Sequence, residues 1–193
     1  MSWRIEPLPL LGPIFDGAIA VYAAAFAEAP YFDTDRGEEV RKRLREVEWS
    51  RPGYEGFVAH VPGGDVVGVA YGYHGSPGQW WHDAVAGKVD RSTRHAWLRD
   101  SCELVELAVA PLMQRSGLGM ALVERFLVGR VEATCVLSTR VDSHADAFYR
   151  RLGFETLAEV TFAANGAPFL IMGKRLGAEI EATRSRWKFR RRR

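Results

Sequence analysis

The chain has 193 residues, 47% of them hydrophobic and 26% charged, a net charge of +2 and two cysteines. That length suits one ordinary domain with a buried core, and no run of about twenty apolar residues is present to cross a membrane. Cys102 and Cys135 have no metal-ligand spacing and form no disulfide framework, and residues 1–6 lack the charged start and apolar centre of a secretion signal; the expectations are no metal and a cytoplasmic protein with reduced thiols.

Residues 3–6 read as a short first strand, and the Pro/Gly-containing stretch 7–13 as a loop. Ile14, Ala18, Val21, Tyr22, Ala25 and Phe26 then recur at helical spacing, with Pro30 just beyond. Asp35 and Glu38 resemble a capping box opening a highly charged second helix, whose thin apolar stripe is Val40, Leu44 and Val47. Phe57, Ala59 and Val61 alternate, Pro62-Gly63-Gly64-Asp65 is turn chemistry, and Val67, Val69 and Tyr71 resume the alternation, which together make a hairpin. Residues 75–101 break the pattern with Gly75-Ser76-Pro77-Gly78, Trp80, Trp81 and a charged, partly helical segment that ends in Trp97. Three tryptophans there imply either a satellite core, the commoner case, or an aromatic pocket.

Residues 103–110 are apolar apart from Glu103 and Glu106, and such a run fits a strand covered on both faces, as in a mostly parallel sheet. Pro111 ends it, having no N–H for the ladder. Gln114-Arg115-Ser116-Gly117-Leu118-Gly119 follows, with glycines that let a backbone turn tightly against a ligand, and Leu118, Leu122 and Phe126 begin an amphipathic helix. A helix opening from such a turn has unpaired N–H groups and about half a positive charge at that end, so it suits a phosphate. A Walker loop is excluded because no Gly-Lys-Ser/Thr follows, and the dinucleotide fingerprint fails because Leu122 stands where its third glycine belongs. Further on, residues 133–139 read as a strand, and Asp142 or Ser143 can cap a helix over 144–152 that Gly153 ends. Residues 154–162 and 169–174 form a hairpin signalled by Asn165-Gly166.

The sequence Leu107-Ala108-Val109-Ala110-Pro111 followed by Gln114-Arg115-Ser116-Gly117-Leu118-Gly119 resembles the pyrophosphate loop of the GNAT superfamily of acyl-CoA-dependent N-acetyltransferases. The segment 145–154, ADAFYRRLGF, resembles that superfamily's A-x-x-F-Y-x-x-x-G-F segment. The resemblance covers most of residues 50–175. It implies an α/β GNAT fold: a mixed, centrally parallel sheet of six to seven strands, about four flanking helices, and an insertion (75–101) before the central strand. One domain would span 1–183, with a basic tail at 184–193. It also implies acetyl-CoA as co-substrate. Residues 114–119 would hold its pyrophosphate, and the backbone of Leu107, Ala108 and Val109 its pantetheine and acetyl oxygen. Tyr149 would donate to the departing sulfur. Asp142 stands where the superfamily often has an asparagine touching the pantetheine, a departure that puts this contact in doubt. The general base would be Glu103 first and Glu106 second, and strand alternation puts these two on opposite faces. Residues 31–33 would face the acceptor.

The acceptor would be a primary amine, of a small molecule or of a protein or peptide, with the small molecule preferred because the tryptophan-containing insertion could close a pocket. A second reading is a GNAT-like acyl-CoA-binding module without catalysis. Residues 184–193 hold seven Lys or Arg and no acid, leaving 19 basic against 24 acidic residues elsewhere, a net of −5. Solvated basic tails are commoner than functional ones, so nucleic acid is not the expected partner, no membrane is expected, and a homodimer is left open.

Overall fold

The computed structural model describes residues 2–177, so the basic tail at 184–193 lies outside the described residues. In chain order come β1 (Arg4–Pro7), α1 (Pro13–Ala27), α2 (Arg36–Glu46), a 3-10 turn (Glu48–Ser50), β2 (Glu55–His60) and β3 (Val66–Gly75). Next are α3 (Trp80–Ala86), α4 (Arg91–Trp97), β4 (Ser101–Val109), a second 3-10 turn (Pro111–Met113) and α5 (Leu118–Leu127). β5 (Thr134–Arg140), a third 3-10 turn (Val141–Ser143), α6 (Asp146–Arg151), β6 (Glu155–Thr161) and β7 (Pro168–Arg175) complete the described chain. The sheet order is β1-β2-β3-β4-β5-β7-β6. β4 and β5 run parallel, while β1/β2, β2/β3, β5/β7 and β6/β7 are antiparallel. This is the mixed α/β class expected. The described residues hold six α-helices rather than about four, because the segment 75–101 folds into α3 and α4. None of these helices is long and apolar enough to cross a membrane.

The chain divides into two compact units, Met1–His74 with Leu104–Val128, and Gly75–Glu103 with the residues from Gly129 onward. In the first, α1 and α2 cover one face of the strands: Phe15, Ile19, Tyr22 and Leu44 pack with Val58, Val69 and Ala108. α1 starts at Pro13, whose missing N–H is harmless in a first turn. α2 departs from the capping-box expectation. Asp35 makes no side-chain cap; instead the Asp33 carboxylate accepts from the amides of Asp35 (3.3 Å) and Arg36 (3.1 Å). Val47, expected on the apolar stripe, falls just past the helix and is 47% exposed.

In the second unit, Trp81 and Trp97 are buried with Val136, Val160 and Ile171, which is the satellite core, whereas Trp80 is 68% exposed. The Trp97 carbonyl accepts from Thr134 Oγ1 (2.8 Å), and Trp81 Nε1 donates to Ser138 Oγ (3.0 Å), so α3 and α4 are pinned to β5. The β6–β7 hairpin is present, but its turn is Ala163–Gly166, closed by Gly166 N to Ala163 O at 3.0 Å. Asn165-Gly166 therefore occupies its last two positions and is not the central pair of a two-residue loop.

Gly173 on β7 faces Trp97 so closely that an added Cβ would lie 2.7 Å from its Cε3 and 2.9 Å from Leu157 Cδ1. Gly173→Ala is expected to lower unfolding free energy by about 1–3 kcal/mol through overpacking. The reading is a lower urea midpoint at unchanged m-value. A midpoint equal to the parent's would show that the Trp97 ring yields without cost.

Candidate active site

β4 stops at Val109 because Pro111 cannot continue the ladder, and the Ala110 amide instead donates to Val67 O at 2.9 Å. The turn that follows is held by its own side chains. Ser116 Oγ donates to Met113 O (2.6 Å) and accepts from the Leu118 amide (3.4 Å), and Gln114 Nε2 reaches back to Val109 O (3.4 Å). Arg115 (φ 59°) and Gly117 (φ 92°) are both left-handed. For arginine that conformation costs roughly 1–2 kcal/mol, and strain of this kind concentrates at ligand sites. α5 begins at Leu118 without a side-chain cap, and the first bond to Gly117 O comes from Ala121 N, so the Gly119 and Met120 amides precede the helical ladder. Gly68 lets the helix lie close on β3: a Cβ there would stand 2.8 Å from Leu122 Cδ1 and 3.2 Å from Leu118 Cδ2. The result is a glycine-containing turn at a helix start, whose amides ahead of the helical ladder suit an anion.

The same unit contains a polar network, built on two buried glutamates and a partly exposed arginine, that the periodicity reading missed. Arg43 on α2 donates through Nη2 to Glu106 Oε1 on β4 (2.6 Å) and to Tyr71 Oη on β3 (3.2 Å), and its Nε lies 2.9 Å from Glu48 Oε1. Glu48, only 3% exposed, also accepts from Tyr71 Oη (2.7 Å) and Tyr73 Oη (3.4 Å). Burial works to lower the Arg43 pKa, but Tyr71, Glu106 and Glu48 outweigh it and hold the guanidinium charged. Tyr71 is pushed well above the usual phenol range, first by burial and then by the charges of Glu106 and Glu48. Tyr22, which accepts from Arg36 Nε at 2.8 Å, is raised by burial and by Glu106. One signal for this network was present in the sequence: Arg36 and Arg43 fall four before and three after Val40, on the helix face that holds the apolar stripe.

Of the two strand glutamates, Glu106 is therefore an ion-pair partner of Arg43. Glu103 is 4% exposed and lies opposite Val136 in the parallel register of β4 with β5, which runs Ser101↔Thr134, Cys102↔Cys135, Glu103↔Val136. Leu107 and Val109 are half-buried and Ala108 is buried. In the second unit, Tyr149 sits on α6, its half-buried ring edge-on to Phe148 (5.0 Å) and Phe154 (5.7 Å). Asp142 does not cap this helix. It forms a two-point pair with Arg140 (2.9 and 2.6 Å), which holds its carboxyl below the usual range. Ser143 Oγ accepts from the Ala145 amide (3.3 Å), left-handed His144 intervenes, and the helix starts only at Asp146.

Tyr22, Tyr54 and Tyr71 all have raised pKa values, chiefly from burial. Above their ordinary value of 10.0 the unfolded chain releases phenol protons that the folded chain retains. Stability should thus be undiminished by these groups below about pH 10 and fall as pH rises beyond it. Chemical denaturation from pH 8 to 11 should show this, with a shallower alkaline slope for Tyr71→Phe. Equal slopes for parent and variant would mean that Tyr71 titrates normally.

The family model for the acetyltransferase (GNAT) domain matches residues 80–176, half of the chain. The GCN5-like protein acetyltransferase Rv2170 of Mycobacterium tuberculosis is 41% identical over 128 residues, which cover 61% of this chain. The chain spans 62% of that relative's length. Among solved structures, one described as histone acetyltransferase HPA2 and related acetyltransferase from Corynebacterium glutamicum superposes with a TM-score of 0.63 at 24% identity, covering 91% of this chain and 97% of its own. An aminoglycoside 6'-N-acetyltransferase complexed with coenzyme A superposes at 0.61 with 16% identity, covering 90% and 97%. Those two likenesses are of fold. With the family model matched over half its length, the chain belongs to the GNAT acetyltransferases.

Proposed function

We propose that this chain transfers an acetyl group from acetyl-CoA to a primary amine. The observation that carries the reading is the strained turn of residues 114–119, with left-handed Arg115 and Gly117 opening α5 directly after β4. Its backbone amides receive the pyrophosphate, and the backbone of Leu107, Ala108 and Val109 receives the pantetheine and the acetyl oxygen. Asp142 is compatible with a cofactor amide nearby because Arg140 already answers its charge.

An acceptor ammonium with a pKa of about 10.4 must lose its proton before attack, at a cost of about 4.6 kcal/mol at pH 7. Glu103 is assigned as the base. Glu106, whose carboxylate is engaged by Arg43 at 2.6 Å, is the second choice. As the amine nitrogen bonds to the thioester carbon and the C–S bond breaks, Tyr149 gives its proton to the departing thiolate. A small-molecule acceptor loses its main support, since two of the three tryptophans invoked for a closed pocket are core residues. The description of the 41% identical relative as a protein acetyltransferase favours a protein or peptide amine. Turnover read by released thiol over peptides, polyamines and aminoglycosides separates the two, and coenzyme binding without any turnover would favour the non-catalytic binding module.

Gly119→Val should abolish acetyl-CoA binding in a folded protein by placing a branched side chain in the first turn of α5. The glycine at 117 is the less clean probe, since valine at φ 92° strains the backbone as well. Unchanged coenzyme affinity in Gly119→Val would remove the loop from the site.

Tyr149→Phe keeps the ring packing against Phe148 and Phe154 and removes the hydroxyl. Single-turnover transfer should slow about 10²-fold, the low end for a general acid, because a thiolate with a pKa of about 8.5 leaves partly unaided. Coenzyme affinity should change little. A parental rate would leave Tyr149 as a packing residue.

A further inference from the structure

We propose that Trp3 is a coenzyme-binding residue whose indole ring takes the adenine of acetyl-CoA. This rests on the acetyl-CoA reading above, which seats the pyrophosphate and the pantetheine and leaves the nucleotide end unassigned. Trp3 precedes β1 and is far in sequence from the turn of residues 114–119, yet the two meet. A Cβ built on Gly117 would stand 3.9 Å from Trp3 Cη2, an ordinary van der Waals contact. Both residues belong to the first unit. Gly117 is the left-handed N-cap of α5 (φ 92°), so the ring tip lies beside the start of the helix assigned to the pyrophosphate.

Strand pairing brings the ring there. β1 runs antiparallel to β2 with Arg4 opposite His60. β2 then passes into β3 through the hairpin turn, which is closed by Val61 N to Asp65 O (3.1 Å) and Gly64 N to Val61 O (3.0 Å). β3 in turn receives the end of β4 through the bond from Ala110 N to Val67 O (2.9 Å). The start of β1, the hairpin turn and the turn after β4 therefore lie at one end of the sheet.

Beyond its contact with Gly117 the ring borders open space. Trp3 is half-buried and forms one wall of a cavity of about 490 Å³, within the range of small-ligand sites, whose other walls include Arg4, Glu6, His60, Pro62 and Gly64. An aromatic face near a guanidinium suits a purine nucleotide, because any base stacks on a π-face and a phosphate on its sugar is met by the cation. Arg4 is exposed, and Glu6 lies 3.0 Å from His60 Nε2, which answers its charge when the imidazole is protonated. Coenzyme A carries both groups, adenine and a 3′-phosphate, on the ribose that follows the pyrophosphate. With the pyrophosphate in the turn, only that ribose separates it from the base, and a ring touching Gly117 is within reach.

The test uses the full chain with Trp3→Phe, which keeps an aromatic face, and Trp3→Leu, which keeps an apolar side chain near Gly117 without one. Calorimetry with no acceptor present reads the binding of CoA, of adenosine 3′,5′-bisphosphate and of 4′-phosphopantetheine. Trp3→Leu should weaken CoA and the bisphosphate by a common factor of about tenfold, and Trp3→Phe should lose far less. 4′-Phosphopantetheine should bind parent and variants alike. The bisphosphate should also quench tryptophan fluorescence in the parent by an increment missing from Trp3→Leu. Parental affinities in Trp3→Leu, or no binding of the bisphosphate by a parent that binds CoA, would overturn the inference and leave acetyl transfer standing. So would an equal loss for CoA and 4′-phosphopantetheine, which would make the ring a support of the turn. A parent that binds none of the three would sink the inference together with the acetyl-CoA reading.

Discussion

Two carboxylates buried in a small apolar core must be answered by positive charge, and in the first unit Arg43 answers both. It reaches from α2 to Glu48 on the following 3-10 turn and to Glu106 on β4, and Tyr71 closes the ring from β3. Four segments far apart in the chain are thereby held by one guanidinium. Removing Arg43 leaves both buried carboxylates unanswered, although its own 44% side-chain exposure lets solvent screen the pairs and keeps their net worth below that of a fully buried ion pair. The network therefore acts as a register pin: a slip of α2 by one residue would strand both acids. It also ties β4 to α2 and β3.

The turn of residues 114–119 shows the complementary strategy, in which geometry is carried by backbone and not by charge. Pro111 stops the strand, Ser116 ties the turn to Met113, and Arg115 and Gly117 adopt left-handed angles. The turn can remain strained because its two ends are fixed independently, by the Ala110–Val67 bond before it and by the packing of Leu118 and Leu122 over Gly68 after it.

Most of the fold was legible because strands and helices here follow apolar periodicity, and the turn was legible because glycine and proline restrict backbones in ways that a string of letters reveals. The misreadings share a different cause. Asp35 looked like a cap by spacing, yet Asp33 does the capping, since a turn places side chains by its path and not by counting. Asn165-Gly166 signalled the right hairpin with the wrong turn, because an Asn-Gly pair also fits the end of a longer loop. Arg43 and Glu48 were lost among the charges of a segment that reads as solvated, and only tertiary contact reveals that Glu48 is buried and that the partly exposed Arg43 turns its guanidinium onto it.

The same distinction bears on the acceptor. Among the residues that carry the resemblance to GNAT proteins, Pro111 and Gly117 meet strict backbone demands, one ending the strand and the other turning at φ 92°. An acceptor imposes no such common requirement, so its determinants are side chains whose identity the fold does not need. Trp81 and Trp97 caught the eye in the sequence and turn out to be core, so an aromatic is no pointer to the acceptor until its burial is known.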